Sequence, residues 1–227
     1  MLALRMMFKI YMKKNKNIKT KIIKTDFILA SASPRRQKLL KEQGYKFRVV
    51  VPNTKELEHH HLSCKHAALE NALAKALSVA QKNKNKVVVS ADTIVVLKGK
   101  ILGKPKTKKQ ALNMLLSLNN KTHEVITAYV VLKVLDQKDD QRIKIIEQKA
   151  VTSKVSFGNF KPEEYLNYVN SGEPNDKAGA YGIQGLGARF IKDFKGSYTN
   201  IVGLPVFEIM HALKKAGLEY PWKSMEK

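Results

Sequence analysis

The sequence runs to 227 residues, enough to bury the core of one domain, and its hydrophobic share of 44% is that of an ordinary globular chain. No apolar run approaches the ~20 residues of a membrane span, and the single cysteine, Cys64, excludes an internal disulfide. The formal charge of +23 comes from 42 basic residues of which six are arginine, and lysines interspersed with asparagines read as solvated surface attractive to anions rather than as a nucleic-acid interface.

Positions 1–25 carry eight basic and no acidic residues, with methionines at 1, 6, 7 and 12. The segment is acid-poor like an organelle transit peptide but lacks the serines and arginines of one. It reads as a disordered basic extension or a misassigned start, with cytoplasmic residence the expectation. One domain over 26–220 and a short tail at 221–227 follow, without internal repeats or long Pro/Gly/Ser linkers.

In "FILASASPRRQKLL" a short apolar strand over 27–31 leads into a helix over 34–43. Ser33 suits the N-cap, Pro34 the first helical position, and Gly44 the stop. Arg35 and Arg36 then fall in the first turn, where the helix dipole already places positive charge. A bound polyanion would compensate them through N–H groups, hydroxyls and guanidinium forks, which makes this a candidate phosphate site; two solvated arginines on a surface helix are the plainer alternative.

"FRVVV" predicts a second strand at 47–51, followed by the polar loop "VPNTKELEHHH". Between Leu62 and Gln81, Leu69, Ala72, Leu73, Ala76, Leu77 and Ala80 recur at three and four, the stripe of an amphipathic helix. "KVVVSADTIVVLKGKILG" reads as strand, break, strand and a glycine-bearing turn. Thr107 caps a helix through Leu118, with Ala111, Leu115 and Leu118 as its stripe. Two long strands joined across "DQKDDQ" form a hairpin, 162–169 is a short helix, and "AGAYGIQGLGARFI" is glycine-rich and then strand-like. Pro205 opens a final helix to Lys215, ended by Gly217. Alternating elements with hairpins predict an α/β or α+β class with a mixed sheet.

Asp92 is placed where an apolar strand stops, a position from which a carboxylate can bind a divalent metal or take a proton from water. A loop aspartate capping a turn has the same appearance. Glu56 offers a second metal-binding oxygen, although alone it resembles any surface residue. Lys75 is one charge in an apolar helical stretch, where it can simply snorkel from the buried face. Lys104, between Gly103 and Pro105, is a rigidly held point charge suited to phosphate. The glycines at 179, 182, 185 and 187 match neither Walker A nor dinucleotide spacing, yet they let backbone approach a ligand, and the Gln184 amide can read a base edge. His59, His60, His61, Cys64 and His66 match no defensible zinc pattern, and nothing supports Cys64 as a nucleophile.

Taken in order, "LASASPRRQKLL", "KE" at 55–56, "ALAKA", "SADTIVV", "ILGKP", "KTHEVITAYVV", "GEPNDKAGAYGIQGLGARFI" and "GSYTNIVGLP" resemble the Maf family of nucleoside triphosphate pyrophosphatases, also linked to septum formation. The resemblance covers about 27–217. It implies a two-lobed mixed α/β fold related to inosine-triphosphate pyrophosphatases, with an elongated mixed sheet, flanking helices and a central cleft, and commonly a homodimer. It further implies that Ser31, Arg36, Lys75 and Lys104 bind phosphate, that Glu56 and Asp92 hold a divalent cation (Mg or Mn), and that Asp92 accepts the proton of the attacking water. Arg35, Thr93 and Gln184 match positions that separate subgroups, and this combination is similar to the one cleaving dTTP and UTP to the monophosphate and pyrophosphate. The 7-methyl-GTP subgroup, the alternative, tends to a bulky apolar residue in place of Arg35 and Glu in place of Gln184. A non-enzymatic nucleic-acid-binding or septum-formation protein is the competing class, suggested by net charge alone. One departure stands out, since Lys55 replaces an aspartate often found before the family's glutamate.

Overall fold

A computed structural model describes residues 27–54, 63–137 and 140–221, with the side chains of 136–142 left aside. The basic extension, Lys55, Glu56, the histidines at 59–61, the tip of the hairpin at 138–139 and the last six residues lie outside the described residues.

The strands are β1 (Phe27–Ala30), β2 (Phe47–Val50), β3 (Val87–Leu97), β4 (Lys100–Leu102), β5 (Thr122–Gln137), β6 (Asp140–Phe157) and β7 (Ile191–Lys195). The helices are α1 (Pro34–Glu42), α2 (Cys64–Ala80), α3 (Lys108–Leu118), α4 (Pro162–Asn170), α5 (Tyr198–Val202) and α6 (Val206–Lys215). One mixed sheet runs in the order β2-β1-β3-β5-β6-β7, with β4 also paired to β3. β2, β1 and β3 are parallel, whereas β3, β5, β6 and β7 pair antiparallel. The mixed α/β class expected from the sequence is the one observed.

Strand alternation divides the core between the two faces. Phe27, Leu29, Val89 and Ala91 pack with Leu40 of α1 and Ile209 and Leu213 of α6. Ile28, Ala30, Val88 and Ile94 pack with Ala68, Ala72 and Ala76 of α2. Burial on both faces explains why β1 is apolar throughout rather than alternating. Ala72, Ala76 and Ala80 are fully buried, which brings the α2 backbone close to the sheet, while Leu69, Leu73 and Leu77 cover its flanks. A third cluster joins α3 and α4 to the far end of β3, β5 and β6 around Leu115, Phe157, Tyr165 and Phe190. Each fully buried Leu or Phe contributes about 2 kcal/mol by leaving water.

The capping expectations are met. The Ser33 hydroxyl accepts from Arg36 N, Thr107 accepts from Gln110 N, and Gly44 follows α1 with φ of 76°. Two expectations change. β3 is continuous from Val87 to Leu97, without the break placed before Asp92, and a short helix, α5, precedes Pro205. β3 is unbroken because β5 pairs with it from Val87 to Val96. It is the neighbour on the other side that stops, since β1 ends at Ala30 opposite Ser90 and β4 joins only at Val95.

Candidate active site

The stretch of β3 between Ser90 and Val95 thus lacks a strand partner on one edge, and a cleft of about 1230 Å³ opens there. The turn from Ser31 to Arg36 forms one wall. The segment around Lys100 to Lys106 and the turns from Asp176 to Gln184 form others, with Ile201–Gly203 behind. Ser31, Arg35, Arg36, Lys75, Asp92, Thr93, Lys104 and Gln184 all line it. Candidate residues from five separate parts of the chain therefore meet in one place. Glu56 lies outside the described residues.

Asp92 and Lys75 form the centre. Lys75 Nζ donates to Asp92 Oδ1 at 2.5 Å, and the two side chains are only 13% and 8% exposed. Lys75 does not snorkel; α2 carries it against β3, where two charges largely removed from water need one another.

Arg36 reaches across the cleft floor. Its Nε donates to the Gly203 carbonyl at 2.8 Å, and Nη1 to the Ala91 carbonyl at 2.8 Å and to Ser31 Oγ at 3.1 Å. Nη2 donates to Thr93 Oγ1 at 3.0 Å. The fork therefore satisfies the Ala91 carbonyl that the end of β1 leaves without a strand partner. Carbonyls and hydroxyls of the protein itself thus compensate a cation placed at a helix N-terminus.

Arg35 instead pairs with Asp176, 2.8 Å from Nη1 to Oδ2, and Lys177 donates to the same carboxylate at 2.7 Å. Partial burial would raise the Asp176 carboxyl, but the hydrogen bonds from Lys177 and Arg35 outweigh it and hold it below the usual range. Neither Asp176 nor Lys177 was singled out from the sequence. Only the fold brings Asp176 back to Arg35, 141 positions away.

The glycine turns are tied down by Glu173, whose carboxylate accepts from Leu186 N at 2.8 Å, Gly187 N at 3.1 Å and the Tyr168 hydroxyl at 3.0 Å. Burial alone would raise this carboxyl, yet those donors and Lys177 leave it below the usual range. Gly179 has φ of 68°, and a Cβ there would lie 2.9 Å from Val95 Cγ1. Gly179 N donates to the Gly103 carbonyl, which locks the Lys104 turn to the turns that carry Gln184. Beneath them His123 Nε2 meets the Tyr181 hydroxyl at 2.7 Å, and burial lowers the His123 pKa to about 4, so it is neutral near pH 7.

A divalent cation fits this donor set in part. Among the described residues no group of three His, Cys, Asp or Glu gathers to enclose one. Of the two described carboxylates lining the cleft, Asp176 is taken up by Arg35 and Lys177 and Asp92 pairs with Lys75, and a site built from one or two carboxylates plus substrate phosphates suits Mg. His66 belongs to a helix cap, its Nδ1 2.8 Å from Ser63 Oγ.

The model of the family described as "Maf-like protein" matches residues 26–216. The chain belongs to the Maf family. Its curated relatives include proteins named dTTP/UTP pyrophosphatase from Carboxydothermus hydrogenoformans, 40% identical over 83% of this chain and 97% of the relative, and from Desulforamulus reducens, 42% identical over 85% and 97%. Another of that name, from Bacillus anthracis, is 39% identical over 85% of this chain and 96% of its own. Among solved structures, a HAM1 protein from Coxiella burnetii overlaps 57% of this chain and 72% of its own at 14% identity and a TM-score of 0.37, too partial to bear on function. Every described residue that the Maf resemblance implicates lies on the cleft.

Proposed function

We propose that this Maf protein hydrolyses dTTP and UTP to the nucleoside monophosphate and pyrophosphate. The observation that carries the reading is the convergence of Asp92, Lys75, Ser31, Arg36, Lys104, Arg35, Thr93 and Gln184 on one cleft. The name shared by relatives about 40% identical over nearly their whole length supports the same substrates.

Asp92, held by Lys75, takes the proton of a water attacking the α-phosphorus. Lys75 and Lys104 bring positive charge to the phosphate oxygens as pyrophosphate leaves. Ser31 and Arg36 shape the floor against which the phosphates rest. Asp92 would hold a divalent cation (Mg or Mn) together with phosphate oxygens, Glu56 being the second acidic residue implied by the resemblance. Such an ion supplies charge neutralisation on the phosphates. Arg35 and Gln184 face the cleft as the groups that discriminate the base, the neutral amide suiting a uracil or thymine edge. A homodimer acting in the cytoplasm completes the reading.

Pyrophosphate release is measured with dTTP, UTP, CTP, 7-methyl-GTP and the common purine triphosphates, in magnesium and in manganese, with Asp92→Asn as control. Turnover of dTTP and UTP, lost by about 10³-fold or more in the control, is expected. Preference for 7-methyl-GTP would keep the chemistry and overturn the specificity. Salt-sensitive binding to DNA or RNA without pyrophosphate release would replace the enzyme by a binding protein.

A further inference from the structure

The two arginines at the start of α1 are used differently. Every nitrogen of the Arg36 guanidinium donates to protein, to the Gly203 and Ala91 carbonyls, Ser31 Oγ and Thr93 Oγ1. Arg35 makes one hydrogen bond to protein among the described residues, from Nη1 to Asp176 Oδ2 at 2.8 Å. Its Nε and Nη2 are not committed to protein, and Arg35 lines the cleft.

The Asp176 carboxylate joins two walls of the cleft. Oδ2 accepts from Arg35 on α1, and Oδ1 accepts from Lys177 Nζ at 2.7 Å. Lys177 is anchored in turn, since its ammonium also donates to the Glu173 carbonyl at 2.6 Å and its side chain is only 13% exposed. A Cβ added at Gly182 would lie 2.9 Å from Lys177 Cε, so the lysine stem packs directly against the turn that leads to Gln184. One carboxylate therefore fixes the Arg35 guanidinium relative to the glycine turns. Fold stability does not call for this arrangement. The Arg35 and Asp176 side chains are 31% and 60% exposed, and ion pairs so exposed hold a fold together weakly. What the carboxylate supplies is a fixed place for a long cationic side chain, which Arg36, Lys177 and the α1 dipole would otherwise push toward solvent.

We propose that Asp176 is a positioning residue for substrate capture, pre-setting the Arg35 guanidinium so that its uncommitted N–H groups meet an acceptor oxygen of the bound nucleotide. The proposal rests on the reading of the protein as a dTTP/UTP pyrophosphatase and deepens it. A tethered guanidinium has given up its rotamer freedom before the ligand arrives, so binding need not order it. Asp176 also acts in the opposite direction, because its charge repels a triphosphate. That repulsion passes through water around an exposed carboxylate and is screened by salt, whereas a close contact made by Arg35 is screened far less. Ionic strength therefore separates the two effects.

The test is the dissociation constant of α,β-imido-UTP, which is not cleaved at that bond, together with kcat and KM for UTP, all at about 0.3 M salt to screen the repulsion. Asp176→Ala is expected to weaken analogue binding and raise KM about tenfold, or about 1.4 kcal/mol, near the most that ordering one long side chain costs, with kcat held within about twofold. Asp176→Asn, which keeps an uncharged acceptor for Arg35, should fall between the alanine variant and the unmodified protein. It carries the same test if Asp176→Ala does not fold, with circular dichroism as the check. In an Arg35→Ala background Asp176→Ala should change neither constant further, since its action passes through Arg35. An unchanged or tightened dissociation constant in the folded variants overturns the proposal, as does an undiminished effect in the Arg35→Ala background or a loss confined to kcat. Failure of the unmodified protein to bind the analogue and release pyrophosphate from UTP would bring down the function reading and this inference together. Normal binding and turnover that do not respond to Asp176→Ala remove this inference alone.

Discussion

Lys75 and Asp92 show how one pair of residues joins stability to function. Each side chain is largely out of water, and each supplies the other's counter-charge at 2.5 Å. Removing one partner strands a buried charge, which costs more than deleting both. Lys75→Met is therefore expected to destabilise the protein by about 3 kcal/mol at neutral pH, and Lys75→Met/Asp92→Asn by clearly less. Urea denaturation of these two variants and of Asp92→Asn measures this, and a loss in the double variant equal to the sum of the two single losses would show that the pair is not coupled. Both residues were legible as candidates from residue type and the Maf resemblance. Their contact was not, because 17 positions and a complete change of element separate them.

Among the elements, the turns from 173 to 190 depend most on a single side chain. Glu173 satisfies two backbone N–H groups that no regular structure would otherwise cap, and so holds the arc that presents Gln184. Its carboxyl pKa lies below its ordinary value of 4.5, so the folded state binds that proton less readily than the unfolded chain. The stabilisation is present in full above about pH 4.5 and is lost as pH falls through the lower folded value. Glu173→Gln should lower the melting temperature near pH 7, and the gap to the unmodified protein should close as the pH drops below 4.5. Thermal melts across about pH 3 to 7 check both halves, and a gap that persists in acid would mean that shape rather than charge secures the turns. At this scale β3 was read as broken at Asp92. Periodicity along one strand cannot reveal that the adjacent strand is the one that stops, and that ending opens the cleft.

Across the whole molecule, the surplus of 42 basic over 19 acidic residues creates a field that attracts any triphosphate. Lys100, Lys104 and Lys106 stand on the cleft rim, so part of that field is aimed at the site. The value of kcat/KM for dTTP should fall several-fold between about 50 and 500 mM salt while kcat changes little, because ions screen encounter more than a bound, close contact. Steady-state kinetics in a salt series decide it, and a kcat that falls as steeply as kcat/KM would point to disruption of the site itself. No helix among the described residues is long and apolar enough to cross a membrane, in keeping with the sequence.

The amino-acid order by itself determined the elements that depend on local chemistry. Ser33, Pro34 and Thr107 start helices through short-range hydrogen bonds and fixed backbone angles, and the Ala72, Ala76, Ala80 stripe marks the buried face of α2. The ordered motifs pointed to the right family and to residues that share one cleft. What only the tertiary structure decided was how those residues are partnered. Arg36 turns to Ala91 and Gly203, Arg35 to Asp176, and Thr93 to Thr127 and so to Asn200. These bonds join positions 34 to 167 residues apart. They form because strand pairing and burial bring unsatisfied carbonyls and hydroxyls together away from water, where each must find a partner, and no local pattern along the chain encodes which one.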